Sequence, residues 1–346
     1  MTAMENSPST TSPICSVCIA NYNGADVIED CLNSVFAQNC DFSFEVIVHD
    51  DASTDGSIDI VCDRYLDVIV IHSKKNVGFC ISNNRMVAQA RGKYILLLNN
   101  DAALFPDALA ALKKEAEQIG KPAILTLPQY DAETGQLLDI GSLLDPFLNS
   151  VPNLDPDRNE VGMVAGACLW IPRPLWQELG GFPEWFGSIG EDLYLCCQAR
   201  LTGYTVCALG ISGYRHRVGG SFGGGKVLQG RLATTRRRRS LSERNKTFVM
   251  ITCYPWMLLL VLLPVHLVIL FVEGALIAIL KRDAGLWRDI YAPLLPSIWG
   301  KRNRLRKSRA IIQGKRKMSV KNFFAVFSFF PYKLKMLMKY GLPEVR

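Results

Sequence analysis

Between Pro13 and about Pro128, short apolar runs alternate with segments of helical periodicity, and this alternation narrows the fold more than any other feature of the chain. Residues 14–20, 44–49, 68–71 and 94–98 read as buried strands. Residues 25–37, 54–65, 82–91 and 106–118 read as helices, with Ser53 as N-cap of the second and Pro106 in the first turn of the fourth. Alternation at this spacing predicts an α/β fold, with a mostly parallel sheet covered by helices on both faces. Further on, residues 161–171 and 205–209 read as strands and 191–201 as a helix ended by Gly203, while 129–160, rich in Pro, Asp and Asn, read as loops or a hairpin.

Open sheets of this kind bind ligands beyond the carboxyl ends of their strands. The polar clusters of this chain fall at those ends: Asn21-Tyr22-Asn23 after the first strand, Asp50-Asp51 after the second and Asn99-Asn100-Asp101 after the fourth. Taken singly each fits a turn, since Asn and Asp favour turns and caps. Together they point to one site. Glu191-Asp192 opens a helix, where a carboxylate is favoured by the helix dipole and is expected to be ionised at neutral pH. One near-motif is misleading. Gly220 and Gly225-Lys226 almost spell a phosphate-binding loop, but Val227 stands where Ser or Thr would hold Mg2+. A glycine loop over residues 219–225 that closes on a ligand is the better reading.

The net charge of +7 is unevenly placed. Residues 281–346 hold 17 Lys and Arg against 3 Asp and Glu, and residues 1–280 hold 22 against 29. An acidic globular part followed by a basic tail argues against a nucleic-acid binder and for a tail that meets a membrane. The eleven cysteines lie largely in apolar runs and helical patterns, as small buried hydrophobes do, so a reducing compartment is expected. Residues 1–12 are polar, are expected to be disordered, and lack the basic start and apolar stretch of a signal peptide.

Six segments in order, ICSVCIANYNG, FEVIVHDDASTDGS, NVGFCISNN, GKYILLLNNDAAL, the stretch from GACLWIP to CCQARLTGY, and HRVGGS, resemble glycosyltransferase family 2. They are similar in particular to bacterial rhamnosyltransferase-like enzymes of surface polysaccharide synthesis. The resemblance implies the glycosyltransferase-A (Rossmann-like) fold, with a nucleotide-sugar-binding half over 13–128 and an acceptor half over 129–235. It implies an inverting transfer from a nucleotide-diphosphate sugar to a hydroxyl of a saccharide carried on a polyprenyl diphosphate, at the cytoplasmic face of the bacterial inner membrane. Ala20, Asn21, Tyr22, Asn23, Asp50, Asp51, Asn76, Gly78, Asn84, Asn99 and Asn100 are then expected around the nucleotide sugar. Asp101 and His216 are expected to hold Mg2+ or Mn2+, and Trp185 and Phe186 to stack on the acceptor. Asp192, with Glu191 beside it, is expected as general base. The chain departs from the family at two points: Asn99 replaces the first Asp of an Asp-x-Asp, and Tyr194 stands where a further Asp is common. Transfer to a polyprenyl monophosphate, which needs no base, and a non-catalytic scaffold are the rival readings.

The region 236–346 reads as basic, helical and membrane-associated, with an apolar segment over 247–280 interrupted by Pro255, Pro264, His266 and Glu273. Basic residues on both sides (236–239 before, Lys281 and Arg282 after) favour an interfacial or re-entrant helical hairpin turning near Pro264, with lipid head groups gripped by the tail and the 323–330 aromatic patch. A buried hairpin in a homo-oligomer fits the same segment.

Overall fold

The computed structural model describes residues 12–217, 224–228 and 231–346; the expectations for residues 1–11 and for 219–223 of the glycine loop lie outside them. Four strands, β1 (Cys15–Asn21), β2 (Phe44–Asp50), β3 (Val68–His72) and β4 (Tyr94–Asn99), pair in parallel in the order β4-β1-β2-β3. Their runs are apolar because both faces are covered. Residues 15–19 are buried throughout, between α1 (Ile28–Phe36) on one side and α3 (Phe79–Gln89) on the other. α1 turns Ile28, Cys31, Leu32 and Val35 inward at helical spacing.

The sheet continues through the short strands β5 (Ala102–Leu104, outside the main sheet) and β6 (Ala123–Thr126), then β7 (Cys168–Pro172) and β8 (Thr205–Ala208). The seven-stranded order is β8-β6-β7-β4-β1-β2-β3. β7 runs antiparallel to both its neighbours and carries the fully buried Trp170, stacked on Tyr94 at 4.9 Å between ring centres. The glycosyltransferase-A-like sheet is therefore mixed. The expected strand over 161–171 is shorter than read. Only Cys168–Pro172 forms a ladder, Met163 makes an isolated bridge to Ser142, and between them the chain bends so that Gly166 offers its N–H to a side chain.

Helix starts also shift. α2 (Ser57–Arg64) begins after Gly56, whose φ of 79° makes the turn, so Ser53 caps nothing. Ser53 Oγ instead accepts the Asn23 N–H. α4 (Ala108–Ile119) and α5 (Arg173–Leu179) complete the cover, and α6 (Glu191–Leu201) runs beneath β8.

The largest departure lies past residue 235. The basic run and the start of the apolar segment form one helix, α7 (Arg236–Cys253), whose Phe248, Val249, Met250 and Cys253 sit in the same core as α6. The core thus crosses the expected boundary at 235–236. The chain breaks at Tyr254–Pro255, not near Pro264: the residue before a proline is pushed out of the helical region, and Tyr254 adopts ψ 135°. Pro264 is accommodated inside α8 (Trp256–Leu280), which runs unbroken for 25 residues, so the two helices turn back on each other at Pro255 and not near Pro264. The remaining chain folds back over residues 129–235: Lys317 and Met318 N–H groups bond Leu201 O, and Ser328 N–H bonds Leu144 O. All eleven cysteines are free thiols.

Phe248, fully buried against Trp185 and Phe186, makes this arrangement testable. Phe248→Ala should destabilise the protein by about 3 kcal/mol, read as a lower denaturation midpoint at unchanged slope. A residue on a lipid-facing segment would show no such loss.

Candidate active site

The carboxyl ends of β1, β2 and β4 lie in one row, because the parallel register pairs Asn21 with Asp50 and Ala20 with Asn99. The polar clusters of the sequence are therefore neighbours in space, and much of their hydrogen bonding is internal. Asn100 Nδ2 donates to Asn21 Oδ1 at 2.8 Å, and Asn21 Nδ2 donates to Ser57 Oγ at 2.8 Å; both asparagines are buried. Asp51 accepts the N–H groups of Val77 and Gly78, at 2.6 and 2.8 Å, one on each oxygen. Asp50 accepts Ser53 N–H at 3.3 Å on one oxygen only. Asn21, Asn100 and Asp51 thus build the floor rather than project from it. Asp51 in particular sets the loop that carries Asn76, which is exposed.

Two further expectations change in the same way. Asn84, expected beside the nucleotide, spends its amide on Phe182, accepting its N–H at 3.0 Å and donating to its O at 2.9 Å. It ties α3 to the loop before α6. Gly78 has φ 91°, and a Cβ there would meet Gly187 O at 3.3 Å, so its small size lets that same loop approach. Ala20, Tyr22 and Asn23 remain at the rim. Tyr22 is half exposed, and Asn23 Oδ1 accepts Thr54 N–H.

At the β4 end, His216 Nε2 lies 3.0 Å from Asp101 Oδ1 and 3.4 Å from Asn99 Nδ2. The strand β9 (Tyr214–His216) pairs antiparallel with β5, placing His216 opposite Ala102. Among the described residues, buried Asn99 Oδ1 and His216 Nδ1 have no partner. Orphaned acceptors and a carboxylate gathered at one spot suit a divalent cation. Among the described residues no three acidic, His or Cys side chains gather as a metal cluster, so Asp101 and His216 would leave most of the coordination sphere to other oxygens.

The acid pair sits beside this point. Asn99 N–H bonds Ala167 O, and the next residue, Gly166, donates its N–H to Asp192 Oδ2 at 3.2 Å. The β4 end and the α6 start therefore share one short backbone segment. Glu191 is buried, and its carboxyl is pushed up to about 8 by burial and by the Asp192 charge. Burial raises Asp192 as well, against backbone N–H groups that hold it down. Desolvation thus outweighs the helix-start effect expected from the sequence. Only one negative charge is comfortable on this pair, and Arg238 of α7 faces both groups as the cation.

The loop feeding α6 has Gly187, Ile189 and Gly190 at φ 79°, 68° and 86°. Left-handed backbone at a β-branched residue is costly and persists only where neighbours hold it. Asn245, fully buried on α7, does so with one amide: Nδ2 donates to Ser188 O at 2.9 Å, Ile189 O at 2.7 Å and Phe186 O at 3.3 Å. Arg238 and Asn245 were not found from the sequence, where Arg238 reads only as part of the basic run 236–239 and no local pattern marks Asn245. Phe186, expected to stack on an acceptor, is 1% exposed and enclosed by Trp185, Tyr194 and Phe248, so no face is open to a sugar. Half-buried Trp185 keeps one edge on Phe186, with Lys301 Nζ over its ring at 5.9 Å.

Residues 16–178 match the family model described as glycosyl transferase family 2. Over that stretch the chain is similar to family 2 glycosyltransferases. Over 164 residues it is 36% identical to TuaG of Bacillus subtilis, a glycosyltransferase named for teichuronic acid biosynthesis; the match covers 46% of this chain and 61% of that protein. The chain thus spans less than two-thirds of that relative. In fold, the chain resembles S. aureus TarS, solved in complex with UDP-GlcNAc, with a TM-score of 0.56 and 18% identity over 90% of each chain. It also resembles the mannosyltransferase PcManGT of Pyrobaculum calidifontis, solved with GDP-Man and Mn2+, with a TM-score of 0.50 and 18% identity over 88% of each.

The raised Glu191 carboxyl sets a pH signature. The unfolded side chain loses its proton near its ordinary value of 4.5, and the folded one only near 8. Between these the folded state holds the extra proton, so this group's contribution to stability falls as pH rises. Glu191→Gln should melt higher than the parent at pH 8 and much closer to it at pH 4.5, measured without ligands.

Proposed function

We propose that the protein is an inverting glycosyltransferase that moves a sugar from a nucleotide-diphosphate donor to a hydroxyl of a saccharide borne on a polyprenyl diphosphate, in surface polysaccharide synthesis. The observation that carries this reading is the shared segment 166–167, which sets Asp192 beside the Asn99–Asp101 end of β4. A proton acceptor and a diphosphate-binding edge then face one pocket.

The nucleotide lies along the row of strand ends, with the open oxygen of Asp50 and the exposed ring of Tyr22 toward base and ribose. Asp101 and His216 would hold Mg2+ or Mn2+, which would supply neutralisation of the charge gathering on the leaving diphosphate. An imidazole and a single carboxylate match Mn2+ better than Mg2+, which prefers oxygen ligands. Asp192 accepts the proton of the acceptor hydroxyl as that oxygen attacks the anomeric carbon. The carbon–oxygen bond to the diphosphate breaks on the opposite face, and the anomeric centre inverts. Burial raises the Asp192 carboxyl, which makes it a stronger base. Arg238 keeps it charged when the pocket closes, and Glu191, protonated near neutral pH, adds no second charge. The basic tail and apolar α8 support a membrane-borne acceptor at the cytoplasmic face.

Asp192→Asn should lower turnover by about 100-fold or more, with donor affinity nearly unchanged in a thermal-shift titration. Retained turnover would favour an acceptor phosphate, already anionic, over a hydroxyl. Asp101→Asn should weaken Mn2+-dependent donor binding while leaving the metal-free melting temperature near the parent value. Release of nucleoside diphosphate from a panel of nucleotide sugars, measured with Mn2+, tests the activity itself; absence of release with every donor would favour the scaffold reading.

A further inference from the structure

Two helices turn their apolar faces away from the protein. α8 exposes Trp256, Leu260, Val261, Val268, Val272 and Ile279 along one side. The helix Tyr332–Tyr340 exposes Leu334, Leu337 and Met338, an i, i+3, i+4 stripe, and buries none of its residues. In a water-soluble helix such stripes point inward.

The opposite side of α8 is fastened to polar groups along its length. His266 Nε2 meets Thr247 Oγ1 at 2.9 Å, and Glu273 pairs with Arg239 and Lys333. Gly274 lies against Tyr291, where a Cβ would come within 2.6 Å of the ring, and Asp283, just past the helix end, pairs with Arg236. α8 extends over about 37 Å, enough to cross a bilayer, but crossing would drag Arg239, Glu243, Lys246 and Lys333 into hydrocarbon with it. Only its outer face is free to meet lipid.

A cavity of about 420 Å3 opens at the first turn of α8, lined by Trp256, Arg306, Arg309, Ala310, Gln313 and Arg316. Arg309 is pinned, donating to Ile251 O and Tyr254 O at 2.7 Å each. Arg306 and Arg316 are exposed and make no ion pair among the described residues. Three guanidinium groups around one cavity without a carboxylate call for an anion. Residues 290–343 hold thirteen Lys and Arg and no Asp or Glu. A second copy of the chain would bring the same positive charge against this face, so self-association is opposed, whereas an anionic surface is attracted.

We propose that the outer faces of α8 and of the helix Tyr332–Tyr340 form an in-plane docking surface for an anionic lipid bilayer, and that the arginine-lined cavity at Trp256 takes the phosphate of a lipid head group. This rests on the reading of a membrane-borne acceptor, but it is tested without acceptor or turnover. Guanidinium pairs bind phosphate bidentately, and Trp256 at the cavity mouth sits where indole rings favour the lipid–water boundary.

Co-sedimentation of the full chain with preformed vesicles of phosphatidylglycerol and phosphatidylcholine, against phosphatidylcholine alone, decides the matter. The expected result is tighter binding to the anionic vesicles, reversed by high salt. Val268→Glu with Val272→Glu should abolish binding to both vesicle types. Arg306→Ala with Arg316→Ala should weaken binding to anionic vesicles by about tenfold and leave neutral vesicles unaffected. Nucleotide-sugar binding and melting temperature should stay at parent values in both variants; if the arginine pair melts early, Arg306→Gln with Arg316→Gln takes its place. Equal affinity for both vesicle types, retention after high-salt washing as for a spanning helix, or a soluble dimer that Val268→Glu dissociates would each overturn the proposal. Failure of every donor to release nucleoside diphosphate would not move these results, so the two readings fail separately.

Discussion

Two carboxyl groups buried side by side cannot both carry full charge unless a cation stands near them. At Glu191 and Asp192 that cation is Arg238, and the requirement organises much of the molecule. Arg238 belongs to α7, so α7 must dock against α6 for the pair to be tolerated. The same helix brings Asn245 to the loop that turns into α6 and Phe248 to the aromatic cluster beneath it. The acid pair and the helix that the sequence assigns to the tail are parts of one unit. This also explains why the four arginines at 236–239 do not form a lipid-facing run: Arg236 goes to Asp283 and Asp289, Arg238 to the acid pair and Arg239 to Glu273.

The row of strand ends was legible in the sequence because its signals are local. A parallel strand buried on both faces is an unbroken apolar run, and a polar cluster closing such a run marks a sheet edge; β1, β2 and β4 lie within one residue of where those patterns put them. What the pattern could not tell was which polar groups project into the pocket and which are spent on each other. Asn21, Asn100 and Asn84 look equivalent to Asp50 along the chain. Only their partners, dozens of residues away, separate floor from rim.

The surroundings of the α6 start were harder for the opposite reason. Its geometry depends on side chains far apart in the chain, with no periodicity to betray them. Asn245 in a helical run of polar residues looks like a solvent position, and Trp185 and Phe186 look alike until one is fully enclosed and the other is not. Proline misled in a similar way. Pro255 and Pro264 carry the same local warning, and the chain turns at the first and continues through the second.

The strained turn at Ile189 has a consequence for the order in which the protein becomes competent during synthesis. A nascent chain that has reached residue 235 already contains every carboxylate named in the pocket. It lacks the amide that holds residues 186–189 and the guanidinium that neutralises the pair. Until α7 has left the ribosome, the start of α6 has nothing to keep its left-handed backbone in place. The loop that opens α6 can hold its final shape only after the segment that follows it has been made.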